Sequence, residues 1–229
     1  MPRRKGELRR EQEERAGIKP RAREREMPAF PRDFVQTVEL INHHHDVSLI
    51  ATTFARHMQK KYGLSNASIE ALGAASGTHD IGKTTEPAKR AIAKHGPLTT
   101  HRREGMQTHV PQGKRLLRKV WDQTVSDPKA VSKVVGIVGV HHEHWDGSGY
   151  PKGLRGEEIP IEGRILGLVD LYCSLRENRI YKTQKSPKEA LVIVDYEKGK
   201  KLDPELTRDF IQFMKKSGIR YLDPKRLSE

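Results

Sequence analysis

Hydrophobic and polar positions alternate with a helical period along most of the chain. Between residues 31 and 63, apolar side chains recur every three or four positions, which is the spacing of one buried helical face. These apolar positions are Val38, Ile41, Val47, Ile50, Phe54 and Met58. Gly63 predicts the end of this first helix, since glycine is favoured just past helix ends. Strand-like alternation is rare, so the pattern predicts an all-α bundle.

The same period predicts the rest of the bundle. Residues 66–77 form a helix rich in small side chains, which can pack closely against a neighbour. Further helices are predicted over residues 86–94, 102–120, 128–142, 161–178, 187–196 and 204–217. Residues 146–160 contain several glycines and prolines and predict a long loop.

The first thirty residues have a different composition from the rest. Arg and Glu alternate there with almost no apolar side chain, which is typical of a solvated helix or of disorder. Pro20, Pro28 and Pro31 would interrupt a continuous helix. We therefore expect a basic extension over residues 1–29 and one folded domain over residues 30–229.

Composition limits the class of protein. A chain of 229 residues fits one sizeable core, and no segment approaches the roughly 20 apolar residues of a membrane-spanning helix. The absence of an apolar signal segment and the single Cys173 predict a cytoplasmic protein that does not act on membranes. The net charge of +13 indicates either a polyanionic partner or simply a basic, solvated surface.

Several of the eleven histidines are grouped with acidic residues. His79 and Asp80 follow the small-residue helix, and His141, His142 and Asp170 each come at the end of an apolar run. Burying such polar groups without partners would be costly, and shared metal ligation would satisfy them.

Imidazole and carboxylate ligands without thiolate suit ions such as Fe, Mn or Zn. Glu39 and His43 are four residues apart, so both can reach one ion from a single helix face. Ligands on several helices, with an Asp able to bridge, indicate more than one metal ion. Two such ions suit phosphodiester hydrolysis.

Two motifs carry a family resemblance. Residues 79–83 read HDIGK, and residues 141–151 read HHEHWDGSGYP. Both resemble the signatures of the HD-GYP family, and the similarity extends from about Glu39 to Phe210. It implies an all-α HD-domain catalytic bundle with a Gly/Pro-rich loop. It further implies a metal-dependent phosphodiesterase that opens cyclic di-GMP to the linear dinucleotide, and further to GMP, by attack of metal-bound hydroxide.

The resemblance also implies roles for individual residues. The implied ligands of two or three divalent ions, Fe or Mn, are Glu39, His43, His79, Asp80, His109, His141, His142 and Asp170. Asp80 would bridge two ions, and Glu39 would serve a third. Lys83 would act beside the scissile phosphate, while Arg179 and Lys182 would hold substrate phosphates. The implied loop residues are Asp146, Gly147, Gly149, Tyr150 and Pro151. Tyr150 and Pro151 would shape the loop rather than perform chemistry, and Tyr150 could also contact a protein partner.

This sequence departs from the family pattern at several points. His43 precedes His79 by 36 residues, about four more than is usual in the family. His44 and His45 are therefore alternative candidates for the metal ligand on the first helix. His144 stands where arginine is commoner. Histidines outside the motifs are expected on the surface, namely His57, His95 and His101.

Ordinary structural roles stay open for some of these residues. Glu39 could form a simple salt bridge, and Arg179 and Lys182 could be surface charges.

Three other functions stay open. The substrate could be another cyclic dinucleotide such as cyclic GMP-AMP, because no residue is identified as reading the bases. The chain could instead be a receptor that binds a cyclic dinucleotide without turnover. Net charge alone favours a nuclease, so we do not expect nucleic-acid binding. The oligomeric state is not indicated.

Overall fold

Helices make up the regular structure of the part of the chain that is described. The computed structural model describes residues 32–93, 99–177 and 184–217, with the backbone alone for residues 32–41 and 93. Its helices are α1 (Arg32–His57), α2 (Gln59–Tyr62), α3 (Asn66–Ser76), α4 (Ala88–Ala93), α5 (Thr100–Gln107), α6 (His109–Thr124), α7 (Pro128–Val138), α8 (Ile161–Arg176), α9 (Pro187–Tyr196) and α10 (Pro204–Ser217). Short 3-10 helices cover Ile81–Thr84 and Gly156–Glu158, and the all-α prediction is confirmed.

Polar side chains begin several of these helices where the sequence places good capping residues. The Ser65 hydroxyl accepts a hydrogen bond from the Ser68 amide at the start of α3. Asp127 accepts one from the Lys129 amide at the start of α7, where Pro128 occupies the first turn. Ser186 and Glu189 form a reciprocal capping box at α9. Such caps satisfy amides that have no partner inside the helix.

Two predicted helices are divided in the structure. α1 ends at His57, and the separate helix α2 follows it before Gly63 adopts a left-handed conformation with φ of 61°. The predicted helix over residues 102–120 is two helices, α5 and α6, which meet at Thr108. The Thr108 hydroxyl donates to the Gly105 carbonyl at 2.7 Å, which closes α5 before α6 begins.

The core lies around α8. α3 packs against α7 and α8, while α9 and α10 also contact α8. An aromatic cluster joins three helices: the ring centroids of Phe54 and Phe210 lie 5.2 Å apart, and those of Tyr172 and Phe210 lie 5.6 Å apart. All three side chains are buried. This packing fixes α8 against the helices that carry the histidines.

None of the described helices has the length and apolar character needed to cross a membrane. The predicted boundary between an extension and the domain, at residues 29 and 30, lies outside the described residues. That division stays a prediction.

Candidate metal centre

The His79–Asp80 pair is delivered by the end of α3. Both side chains are buried, at 0% and 2% exposure, just before the 3-10 helix Ile81–Thr84. Gly82 in that helix has no room for a side chain, because a Cβ would lie 1.9 Å from the His109 carbonyl oxygen. The 3-10 helix therefore lies directly on the start of α6. This close approach brings His109 Nε2 to 3.4 Å from Asp80 Oδ1.

Two further helices complete the centre. His141 follows the end of α7, and its Nε2 lies 3.5 Å from His109 Nε2 and 4.0 Å from Asp80 Oδ1. Asp170 comes from α8, with its Oδ1 3.5 Å from His79 Nε2 and 3.1 Å from His43 Nε2. α8 can approach this closely because Gly167 packs on the His141 carbonyl, only 2.8 Å from where a Cβ would stand.

The ligand atoms fall into two groups. Within each group, the candidate ligand atoms all lie within 4.8 Å of one another. The first group contains Asp80, His109, His141 and His142, and the second contains His43, His79 and Asp80. Asp80 belongs to both: its Oδ1 lies 3.4 Å from His109 Nε2, and its Oδ2 lies 3.6 Å from His79 Nε2. Asp170 lies beside the second group.

Three of the histidines are held in one tautomer by main-chain carbonyls. Nδ1 of each ring lies 2.6–2.8 Å from the carbonyl oxygen three residues earlier. The pairs are His79 with Ser76, His109 with Met106, and His141 with Val138. Nδ1 must donate the proton in each pair, since the carbonyl can only accept. Nε2 is thus the ring atom that faces the centre in each case, as in metal sites with oriented ligands.

Electrostatics keep the carboxylates charged and some histidines neutral. Burial alone would raise the pKa of the Asp80 carboxyl, but the charges of Lys83 and His79 hold it well below its usual range. Burial lowers the pKa of His142 to about 3. Burial also acts to lower the pKa of His43, yet Asp170 and the nearby Glu177 raise it to about 9.

The chemistry of these side chains fits divalent metal ions. Among the described residues, Nε2 of His79 and Oδ1 of Asp80 are buried and have no hydrogen-bond partner. Buried polar atoms without partners are costly, and here they converge on the same small space with further nitrogen ligands. An ion accepted there would satisfy both atoms. The described part of the chain can therefore hold metal ions through histidine and aspartate.

The structure separates the three adjacent histidines of α1. His43 is buried, and its Nε2 faces Asp170. His44 is half-buried and faces His79, with ring centroids 5.0 Å apart. Its Nε2 is buried without a hydrogen-bond partner in the described structure, and burial lowers its pKa to about 4. His45 is exposed beside Asp46. His43 alone of the three belongs to a ligand group within the described residues.

Of the other predicted site residues, the structure describes the side chain of Lys83 but not those of Glu39, Arg179 and Lys182. The Lys83 ammonium contacts Asp80 Oδ2 directly at the rim of the centre. Glu39 lies one turn before His43 in α1, but its side chain is outside the described residues. Arg179 and Lys182 also lie outside them, so their roles stay predictions.

The glycine-rich loop packs against the main chain of residues 142–144. The Tyr150 amide donates to the His142 carbonyl at 3.0 Å, and the Tyr150 ring lies 4.8 Å from the His142 ring. Gly149 is required by space, because a Cβ would stand 2.3 Å from the His144 nitrogen. Asp146 Oδ1 accepts from the Ser148 amide, and Gly147 has φ of 81°. Pro151 follows Tyr150 through a cis peptide.

Two glutamates near the centre were not predicted to have roles. Glu143 is buried, and its carboxylate accepts the amides of Lys152 at 2.7 Å and Leu154 at 2.9 Å. It thereby fixes the far side of the loop. Glu177, directly after α8, contacts His43 Nδ1 through Oε1. A signal for Glu177 exists in the sequence, since it lies two helical turns beyond Asp170.

A cavity of about 310 Å³ opens beside the centre. It is lined by Lys83 and Asp170 and, farther along, by Trp145, Arg164 and Lys201. The Arg164 guanidinium carbon lies 5.7 Å from the Trp145 ring centroid. Arg164 also pairs with Asp203 at 2.8 Å, and Lys201 pairs with Glu197 at 3.1 Å, so the cavity wall combines charges of both signs with an indole ring.

Comparison with protein families identifies the family to which this chain belongs. A family model described as the HD domain matches residues 21–206. The chain belongs to the HD domain family. The resemblance indicated by the two motifs is thereby confirmed at the family level.

Curated relatives of this HD domain chain are named for cyclic dinucleotides. A "Probable cyclic di-GMP phosphodiesterase" of Vibrio cholerae is 33% identical over 172 residues, which are 75% of this chain and 39% of the relative. A "Cyclic di-GMP phosphodiesterase" of Thermotoga maritima is 34% identical over 156 residues, which are 68% of this chain and 40% of the relative. A "3'3'-cGAMP-specific phosphodiesterase 2" of Vibrio cholerae is 31% identical over 153 residues, which are 67% of this chain and 28% of the relative. The chain thus spans well under half the length of these relatives.

Solved structures share the fold of the HD domain. A HDG"Y"P protein from Bdellovibrio bacteriovorus superimposes with a TM-score of 0.56 at 19% identity, over 77% of this chain and 52% of that protein. A cyclic GMP-AMP specific phosphodiesterase of Vibrio cholerae gives a TM-score of 0.56 at 20% identity, over 81% of this chain and 45% of that one. At such identities the likeness concerns the fold alone.

Proposed function

We propose that this HD domain chain is a metal-dependent phosphodiesterase that hydrolyses a cyclic dinucleotide, with cyclic di-GMP as the first substrate to test. The observation that carries the proposal is the pair of ligand groups joined by the shared carboxylate of Asp80. The names of the relatives from Vibrio cholerae and Thermotoga maritima support the same reaction and substrate.

The residues of the centre would hold two divalent ions. His109, His141 and His142 would hold one divalent ion, His43 and His79 a second, and Asp80 both. Such ions supply positive charge to polarise a phosphate and lower the pKa of water. Nδ1 donation to main-chain carbonyls keeps the lone pairs of His79, His109 and His141 available. Asp170 would serve as a further ligand from α8.

Lys83 supports the phosphate chemistry. Its ammonium stands beside Asp80 at the rim of the centre and lines the adjoining cavity. A positive charge there would offset negative charge that develops on the phosphate oxygens. The cavity would receive part of the dinucleotide, with Trp145 offering a ring face and Lys201 a charge. Arg179 and Lys182 are proposed to hold the other phosphate.

Several finer points belong to the same proposal. Fe or Mn suits the nitrogen and oxygen ligands, and Glu39 would serve a third ion. Hydrolysis would give the linear dinucleotide and, with the third ion, GMP. The loop that carries Tyr150 would contact a protein partner. We place the protein in the cytoplasm.

Cyclic GMP-AMP is the second candidate substrate. A relative named as specific for 3'3'-cGAMP is 31% identical to this chain, close to the values for the cyclic di-GMP relatives. The assay must therefore include both dinucleotides.

The deciding experiment measures turnover of each dinucleotide by protein loaded anaerobically with Fe(II) or Mn(II), with products separated by chromatography. We expect cleavage of cyclic di-GMP and its loss by at least about 1,000-fold in Asp80→Ala, because both ligand groups lose their shared carboxylate. His45→Ala, an exposed neighbour of the centre, is the matched control. Bound dinucleotide without turnover in metal-loaded protein would instead identify a receptor.

A further inference from the structure

His43 differs from the other histidines of the centre in where it sits on its helix. It lies in the interior of α1, whereas His79 and His141 follow the last residues of α3 and α7. The final carbonyls of a helix have no partner within the helix and are free to accept other donors. The Ser76 carbonyl accepts a hydrogen bond from Nδ1 of His79, and the Val138 carbonyl accepts one from Nδ1 of His141.

No such carbonyl is available to His43. In a helix interior, the carbonyls are engaged by amides four residues later. The partner of His43 Nδ1 is instead the carboxylate of Glu177, supplied from the end of α8. The opposite ring atom, Nε2, faces Asp170 and belongs to the group with His79 and Asp80.

The spacing on α8 explains how one helix reaches both sides of the ring. Asp170 and Glu177 are seven residues apart, which is close to two helical turns, so they share one face. Asp170 faces Nε2 and Glu177 faces Nδ1 of the same imidazole. The ring is therefore held between two carboxylates in a fixed orientation.

We propose that Glu177 is a positioning residue for His43, which orients the ring and strengthens Nε2 as a ligand. The inference rests on the metal centre proposed above. A carboxylate that accepts Nδ1–H fixes the tautomer and raises the basicity of the other nitrogen. Glu177 thus does for His43 what main-chain carbonyls do for His79, His109 and His141, with a full negative charge added.

The test is a titration of metal-free protein with Mn(II), in which free ion is followed by its electron paramagnetic resonance signal. We expect Glu177→Ala to weaken the binding of the ion held with His43 by about 10–100-fold, the range for loss of an outer-sphere partner. Glu177→Gln keeps an oxygen that accepts Nδ1–H but lacks the charge, so it should fall between Glu177→Ala and the unaltered protein. The ion held with His109 should bind as before.

Glu70→Gln is the matched control, since this exposed glutamate of α3 lies outside both ligand groups. Thermal unfolding of the metal-free variants shows whether each folds, and the isosteric Glu177→Gln covers the case in which Glu177→Ala does not. If the unaltered protein binds no Mn(II), the metal centre itself is wrong. If it binds Mn(II) and both Glu177 variants bind it equally well, only the role of Glu177 is overturned.

Discussion

At the scale of single residues, small side chains decide how close the ligands come. Gly82 lets the 3-10 helix rest on the start of α6, and Gly167 lets α8 rest on the His141 carbonyl. In both cases the atom that a Cβ would meet is main chain, which cannot rotate away. The glycine of the HDIGK motif therefore has a packing role.

Gly82→Ala is expected to disturb the centre and the fold together. A Cβ placed 1.9 Å from the His109 carbonyl must push α6 away, at a cost of about 1–3 kcal/mol or more, and move His109 from Asp80. Urea unfolding and Mn(II) binding measure the two effects.

Gly136→Ala is the matched control for this change. Nothing lies within 4 Å of a Cβ at this exposed position in α7, and alanine favours helix. Its stability should rise by about 0.5–1 kcal/mol. Wild-type stability and metal binding in Gly82→Ala would contradict the packing argument.

At the scale of elements, the short helix α2 is held in place by contacts with a distant helix. It comprises the four residues Gln59–Tyr62, between the end of α1 and the left-handed Gly63. α2 is anchored to α10, because the Tyr62 hydroxyl donates to the Asp209 carboxylate and Lys61 Nζ lies 2.6 Å from the same oxygen.

Tyr62→Phe should weaken this anchor. A hydrogen bond to a charged acceptor contributes about 1.5–3 kcal/mol, although the partial exposure of the site places the expected loss near the lower value. Urea unfolding measures the loss. Tyr196→Phe, which removes a hydroxyl from a residue that is 71% exposed, should leave stability within about 0.5 kcal/mol. Equal effects of the two substitutions would show that α2 is not anchored through this hydroxyl.

At the scale of the whole molecule, the centre makes stability depend on pH. Burial lowers the pKa of His44 to about 4, well below its ordinary value of 6.5. The unfolded chain then binds more protons than the folded one between these values, so stability falls as the pH drops below about 6.5. His43 acts oppositely, since its pKa of about 9 gives stability below pH 6.5 that is lost as the pH rises through 9.

We therefore expect metal-free protein to lose stability on both sides of neutral pH. Each histidine that stays neutral in the fold contributes a slope of up to about 1.4 kcal/mol per pH unit on the acid side. Urea unfolding of chelator-treated protein at pH 5, 7 and 9 measures the profile. His44→Gln should flatten the acid side, and His45→Gln, at an exposed position, should not. An unchanged profile in His44→Gln would contradict the assignment of His44 as a half-buried neutral group.

The sequence by itself determined the class of fold, most helix positions and the family, because helical periodicity and contiguous motifs are local properties of the chain. Tertiary structure decided which of His43, His44 and His45 faces Asp170, since a shift of one residue turns a side chain by about 100° and only packing against α8 selects the face. It also decided the division of two helices and the contact of Glu177 with His43. The contacts of His43 with Asp170 and Glu177 join residues more than a hundred positions apart, which no local pattern relates.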